Sequence, residues 1–199
     1  SYFVAYMHRI FSFFGIDTAV ATVNNYYPLI ATVIMTIFLF LFVRKAFDWR
    51  VGLLSALLIN VIPSFLFRSM GGSSDHDILG VMFVVMAFYF YLTAVQCKKI
   101  KFNILFGAIV GCISVIGIMT AGLINFFFMA VSAFILVEIL FDRFNKSDFA
   151  VLVAFLFTFT ALTIYAGFNS FSGLITSITT GLFYFDFVVG VFYFYIYKN

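Results

Sequence analysis

One short stretch of this sequence concentrates groups that could do chemistry: Arg68-Ser69-Met70-Gly71-Gly72-Ser73-Ser74-Asp75-His76-Asp77. Carboxylates at i and i+2 diverge on a regular helix. On a turn leading into a helix N-terminus they can converge. Converging carboxylates, with or without an imidazole, make a hard-cation site of the type that Mg²⁺ or Mn²⁺ takes, and a helix N-terminus favours negative charge. The spacing also admits a purely structural reading, in which Asp77 caps the helix that begins at Ile78 and Asp75 is a solvated neighbour. Two other acids interrupt apolar runs. Asp186 is a functional candidate because a charge in hydrocarbon must find a partner or a wet cavity; if its segment is two pieces, it marks a surface turn instead. Glu138 lies one turn from a segment end, where it is expected to snorkel toward Arg143 or Lys146.

The elements that must position these residues are membrane spans. The chain has 199 residues, 65% apolar, 22% aromatic and 10% charged, against about 45–50% apolar and 25% charged for a soluble domain. A soluble core of this length could not hide so much apolar surface, and a disordered chain would be far more polar. Seven apolar segments approach the ~20 residues needed to span a bilayer: 28–43, 51–67, 78–96, 102–119, 122–141, 148–167 and 172–197. The first is expected to start at Pro28, with Tyr26 and Tyr27 in the interface belt. Pro63 is expected to kink the second, and the seventh, with Gly181 and Gly190, is tilted, broken or in two pieces. Gly107 and Gly111 are expected to pack within the molecule. Cys97 and Cys112 read as small core residues without a disulfide. Residues 1–27 read as an outward-facing segment with a short surface helix at 17–25, and residues 28–199 as the transmembrane domain. The chain opens on Ser1 and closes just after an apolar run, so a partial chain is expected.

A net charge of +3 is too small for a nucleic-acid binder. Nine of the 11 basic residues fall on alternate connections at 44–50, 97–101, 142–147 and the tail, leaving Arg9 and Arg68 on the other set. The positive-inside rule makes the first set cytoplasmic, so 68–77 faces the outside or a lumen.

Residues 20–100 resemble the catalytic subunit of oligosaccharyltransferase, the membrane enzyme of protein N-glycosylation. The string Arg68–Asp77 is similar to that family's outward loop, which runs from an Arg through a small-Gly pair to Asp-x-Asp, Asp-x-Glu or Asp-x-His. The turn Phe42–Ser55 and the approach Asn60–Arg68, with Pro63, are also similar. Met119-Thr120-Ala121-Gly122 departs from the family's Trp-Gly-Gly-like element.

The resemblance implies an all-α polytopic fold of the glycosyltransferase C type, with about seven transmembrane helices here corresponding to the second through eighth of the parent. It implies that Asp75 and Asp77 are catalytic and hold Mg²⁺ or Mn²⁺. Arg68, whose fork suits a phosphate bidentately, would contact the donor phosphate. His76 has no settled role there and is, with Asp186, a weaker candidate. The implied reaction is inverting transfer of an oligosaccharide from a polyprenyl phosphate or pyrophosphate to Asn in Asn-x-Ser/Thr, in the cell or endoplasmic-reticulum membrane. The partners are the polyprenyl-linked donor, an acceptor protein or peptide and the bilayer, with no nucleic acid. The family's first acidic motif and its soluble C-terminal domain are absent from these 199 residues, so the isolated chain is expected to be inactive. Two rivals stand: another polyprenyl-phosphate-sugar transferase of O-mannosyl or lipid-sugar type, and a transporter using Asp186 and Glu138. Inverted repeats, which a transporter should show, are not evident. The chain's own sequon, Asn145-Lys146-Ser147, lies on a predicted cytoplasmic connection and should stay unmodified.

Overall fold

The computed structural model describes residues 20–69, 77–167 and 171–197. These form nine α-helices and no strand among the described residues. They are α1 (Val20–Ala46), α2 (Trp49–Val61), α3 (Pro63–Ser69), α4 (Asp77–Gln96), α5 (Ile100–Thr120), α6 (Ile124–Leu140), α7 (Lys146–Tyr165), α8 (Phe171–Thr176) and α9 (Ile178–Phe192). A π-helical turn, Tyr193–Tyr197, follows. The all-helical outcome follows from the solvent: hydrocarbon supplies no hydrogen bonds, so each apolar segment must satisfy its own backbone. Among the described residues five helices have the length and apolar composition to cross a membrane: Asn25–Ala46 within α1, then α4, α5, α7 and Ile178–Tyr195. The segments expected at 51–67 and 122–141 yield shorter apolar helices, Trp49–Val61 and Ile124–Leu140.

Two proline expectations are corrected. Pro28 does not open the first span; it sits inside α1, which begins eight residues earlier at Val20. Only Tyr26 faces outward there, at 58% exposure, whereas Tyr27 is buried at 1%. Pro63 breaks the second span rather than kinking it. The residue before a proline is driven out of the helical region; Ile62 accordingly adopts φ −64° and ψ 120°. Pro63 then takes the first position of α3, where its missing N–H costs nothing. The seventh segment is broken as well, at Ser177, which is extended at φ −68° and ψ 130°.

The helices alternate between two ends of the bundle. At one end Lys45 Nζ donates to Thr93 Oγ1 at 3.0 Å, joining the close of α1 to the close of α4. The Asp48 carboxylate accepts from the Trp49 N–H at 2.7 Å and opens α2. Asn145 and Asp148 form a reciprocal capping box at the start of α7, and the Tyr193 hydroxyl donates to Asp142. Asp142 itself is left-handed at φ 54°, a conformation that Asp tolerates better than most residues. Eight of the nine basic residues assigned to one set of connections (Arg44 through Lys146) fall at this end; Lys198 lies outside the described residues. The opposite end carries Asp77.

Small residues set the spacing of the bundle. A Cβ on Gly107 would stand 2.8 Å from the Val151 carbonyl oxygen, and one on Gly111 would stand 3.0 Å from that of Phe155. The expected intramolecular packing of these glycines is therefore the α5–α7 contact. Both cysteines are free; Cys112 is exposed rather than in the core. Between α6, α7 and α9 an aromatic core forms: Phe128 stacks on Phe155 at 5.8 Å between centroids, and Phe155 meets Phe183 at 4.6 Å. In a bilayer such van der Waals packing, not expulsion from water, holds helices together.

Candidate functional site

Asp77 is the first residue of α4 and is half-buried. Its position is fixed by the turn that packs beside it. Gly80, one turn further on, has no side chain to hold the neighbouring connection away: a Cβ there would lie 2.8 Å from the Ala121 Cβ and 3.0 Å from Leu123 Cδ1. The connection between α5 and α6 therefore rests directly on the first turn of α4. Gly117 repeats the device, with Ile124 side-chain atoms 3.1–3.2 Å from its notional Cβ. Thr120 at the close of α5 turns its hydroxyl back onto the Ile116 and Gly117 carbonyls, each at 3.0 Å.

The broken seventh segment reaches the same end. Thr179 donates to Asn125 Oδ1 at 3.1 Å, tying the start of α9 to the start of α6. Ser177 and Thr179 share a hydroxyl contact at 3.2 Å. Around Asp77 this end thus gathers the α5–α6 turn, Asn125, and the Ser177 break. The Asn125–Thr179 pair was not among the sequence candidates; its only signal was an amide and hydroxyls at the starts of two apolar runs.

The remaining sequence candidates fall as follows. Arg68 belongs to α3, which packs on α4, and its side chain lies outside the described residues. Asp75 and His76 also lie outside the described residues. Among the described residues no group of three His, Cys, Asp or Glu side chains is placed to hold a metal. Asp77 nevertheless suits a hard divalent ion: an oxygen donor, half-exposed, at the polar end of a 20-residue helix whose dipole favours anions there.

Asp186 is not at a surface turn. The break that would have made it one lies at Ser177, and Asp186 sits mid-α9 at 0% exposure. Neither of its carboxylate oxygens has a hydrogen bond of ordinary geometry. It lies seven residues, or about 10 Å of helix, beyond Thr179, in the interior of the bundle. Glu138 also departs from expectation. Its Oε2 is buried without a hydrogen-bond partner, so pairing with Arg143 or Lys146 is not formed. The Arg143 backbone N–H instead reaches the Glu138 carbonyl at 2.8 Å.

Fold and site together define an integral membrane protein: a bundle of apolar helices with basic residues at one end and an acidic helix lip at the other. Its sequence assigns it further. The chain belongs to the oligosaccharyl transferase STT3 family, whose N-terminal family model it matches over residues 3–199. No curated protein matches it at the level of sequence. The fold is that of the Archaeoglobus fulgidus oligosaccharyltransferase. Its complex with Zn and sulfate is 21% identical with a TM-score of 0.77, over 98% of this chain and 27% of that one. The form tethered to an acceptor peptide containing the NVT sequon is 22% identical with a TM-score of 0.73, over 98% and 25%. The complex of that organism's AglB with an inhibitory peptide and a dolichol-phosphate is 20% identical with a TM-score of 0.72, over 98% and 25%. The chain thus spans about a quarter of the length of the structures it matches.

Proposed function

We propose that this chain forms a membrane part of an enzyme that moves an oligosaccharide from a polyprenyl phosphate or pyrophosphate to the Asn side-chain amide of an Asn-x-Ser/Thr sequon. The observation that carries this reading is the family match across residues 3–199, with the family-type acidic string ending on the lip residue Asp77. That match favours the transferase over the transporter. The A. fulgidus protein has been captured with a sequon peptide and with a dolichol-phosphate, which supports a peptide acceptor and a polyprenyl donor here.

Asp75 and Asp77 would hold Mg²⁺ or Mn²⁺, which when bound supplies positive charge against the developing charge of the leaving phosphate. The chain's own residues do the rest. Arg68 binds donor phosphate oxygens through its guanidinium fork. Asp77 is kept in place by the Gly80 contact with the α5–α6 turn. Its location at a bundle end lets the polyprenyl tail stay in lipid while the phosphate meets the polar lip. The acidic end faces the outside or a lumen, and the basic end faces the cytoplasm. Under this reading Asn145, which caps α7, stays unglycosylated on the cytoplasmic side.

Native mass spectrometry of the chain in detergent, with a polyprenyl-diphosphate oligosaccharide and Mn²⁺, tests the reading. Mn²⁺-dependent donor retention that falls about tenfold in Asp77→Ala, as loss of one charge-assisted contact implies, supports it. Retention indifferent to both metal and substitution contradicts it.

A further inference from the structure

The basic end has a feature that the transferase reading does not use. The Lys45–Thr93 hydrogen bond at 3.0 Å draws two separate turns together, the one between α1 and α2 and the one between α4 and α5. The Lys45 ammonium, 6.0 Å from the Tyr89 ring centroid, is occupied in making this joint. The cations around it are not drawn in. Arg44, Arg50, Lys98, Lys99 and Lys101 are all exposed on the two joined turns.

The acids at this end offset them only in part. Asp48 caps α2 through the Trp49 N–H, Asp142 receives the Tyr193 hydroxyl, and Asp148 receives the Asn145 N–H at 3.0 Å. These hydrogen bonds leave the carboxylates charged, and Asp48 lies on the first turn itself, but six cations (Arg44, Lys45, Arg50, Lys98, Lys99 and Lys101) against that one acid leave the joined turns strongly positive. Large apolar groups stand among these cations. Phe47 at the tip of the first turn is 77% exposed, and Trp49 beside it is 52% exposed. The Arg50 guanidinium lies 5.6 Å from the Trp49 ring centroid. Ile100 and Phe102 are likewise exposed on the second turn. Cations with interleaved exposed aromatics, at the end of an apolar bundle, match both halves of a membrane interface: anionic headgroup and upper acyl chain.

We propose that the joined α1–α2 and α4–α5 turns form a docking surface for the headgroups of anionic phospholipids. Arg44 and Arg50 embrace the phosphate from one turn and Lys98, Lys99 and Lys101 from the other, while Trp49 and Phe47 seat in the acyl region beneath. Lys45 is the strut that holds the two halves together and is not itself a headgroup contact. The inference stands on the basic end alone and does not depend on the chemistry assigned to the acidic end.

Trp49 is the single tryptophan of the chain, so its fluorescence reports on this surface without interference. The chain is reconstituted into phosphatidylcholine vesicles carrying a minor fraction of acyl-brominated phosphatidylglycerol or, in parallel, acyl-brominated phosphatidylcholine. Quenching of Trp49 is expected to be about threefold stronger with the anionic quencher, a selectivity that screening by high salt removes. The variant with Arg44, Arg50, Lys98, Lys99 and Lys101 all replaced by Gln should quench equally with both lipids. Its folding is followed by its helical circular dichroism. Equal quenching of the wild type by the two lipids, selectivity that survives high salt, or selectivity that survives in the folded variant would each overturn the proposal. Should the variant not fold, the wild-type salt series decides by itself.

Discussion

Gly80 of α4 lies so close to Ala121 in the α5–α6 turn that a Cβ on Gly80 would stand 2.8 Å from that of Ala121. This places the α5–α6 turn one helical turn from Asp77, with nothing between to absorb a larger residue. Gly80→Leu should therefore lower stability by about 1–3 kcal/mol, the usual cost of overpacking. Gly122→Ala provides the contrast: its nearest neighbour is Asn125 Nδ2 at 3.9 Å. Chemical unfolding in detergent compares the two variants. Equal midpoints would show that the turn does not bear on α4.

A second glycine tests the α5–α7 seam. A side chain at 111 meets the Thr158 hydroxyl and the Phe155 carbonyl, the latter 3.0 Å from the notional Cβ. Backbone cannot retreat as a side chain can, so Gly111→Val should destabilise by about 2 kcal/mol or more. Adding Thr158→Ala should restore only part of the loss, because the carbonyl remains. Complete rescue would place the clash on the hydroxyl alone.

Asp186 gives a prediction of the opposite sign. Its carboxylate is wholly buried in α9 beside the Ser132 hydroxyl, with no cation among the described residues paired to it and no hydrogen bond of ordinary geometry, and a charge so placed is expensive. Asp186→Asn keeps the shape and removes the charge. It should leave the unfolding midpoint unchanged or raise it by the equivalent of about 1 kcal/mol or more. A large loss of stability would show that the carboxylate has a partner essential to the fold.

The reading of the outline was possible because lipid imposes a simple rule: long apolar runs become helices, and charges and prolines mark their ends. Pro63 was visible as a kink on those grounds, though not as a full break, and the last segment as tilted, broken or in two pieces. The start of α1 was not. Asn24 and Asn25 read as polar and Tyr26 and Tyr27 as an interface belt, yet Tyr27 is buried at 1% within the helix; the packing partner that buries it is invisible in a single sequence. The same holds for Gly80, whose meaning depends on Ala121, and for the Asn125–Thr179 pair across 54 positions. The acidic string could be singled out as a candidate because it is local. Of its acids, Asp77 lies among the described residues, on the lip of α4 where the spacing placed a helix start.

The family's first acidic motif is not found within these 199 residues. The chain offers its own candidate ligands from one loop, Asp75 and Asp77, and a divalent ion normally takes six or more ligands. Incubated with polyprenyl-linked oligosaccharide, Mn²⁺ and an Asn-x-Thr peptide, the isolated 199-residue chain is expected to transfer no glycan. Robust product by mass spectrometry would show that these residues suffice.

The acidic pair Asp75 and Asp77, at the start of α4, is proposed as the working end of the molecule and the holder of a divalent cation. Electron paramagnetic resonance of Mn²⁺ titrated into the detergent-solubilised chain reads this directly, because bound Mn²⁺ loses its free six-line signal. One bound Mn²⁺ is expected, with an affinity that falls about tenfold or more in Asp75→Ala and in Asp77→Ala, and with Asp186→Asn indistinguishable from wild type. Mn²⁺ binding unchanged by either loop substitution, or abolished by Asp186→Asn, would contradict it.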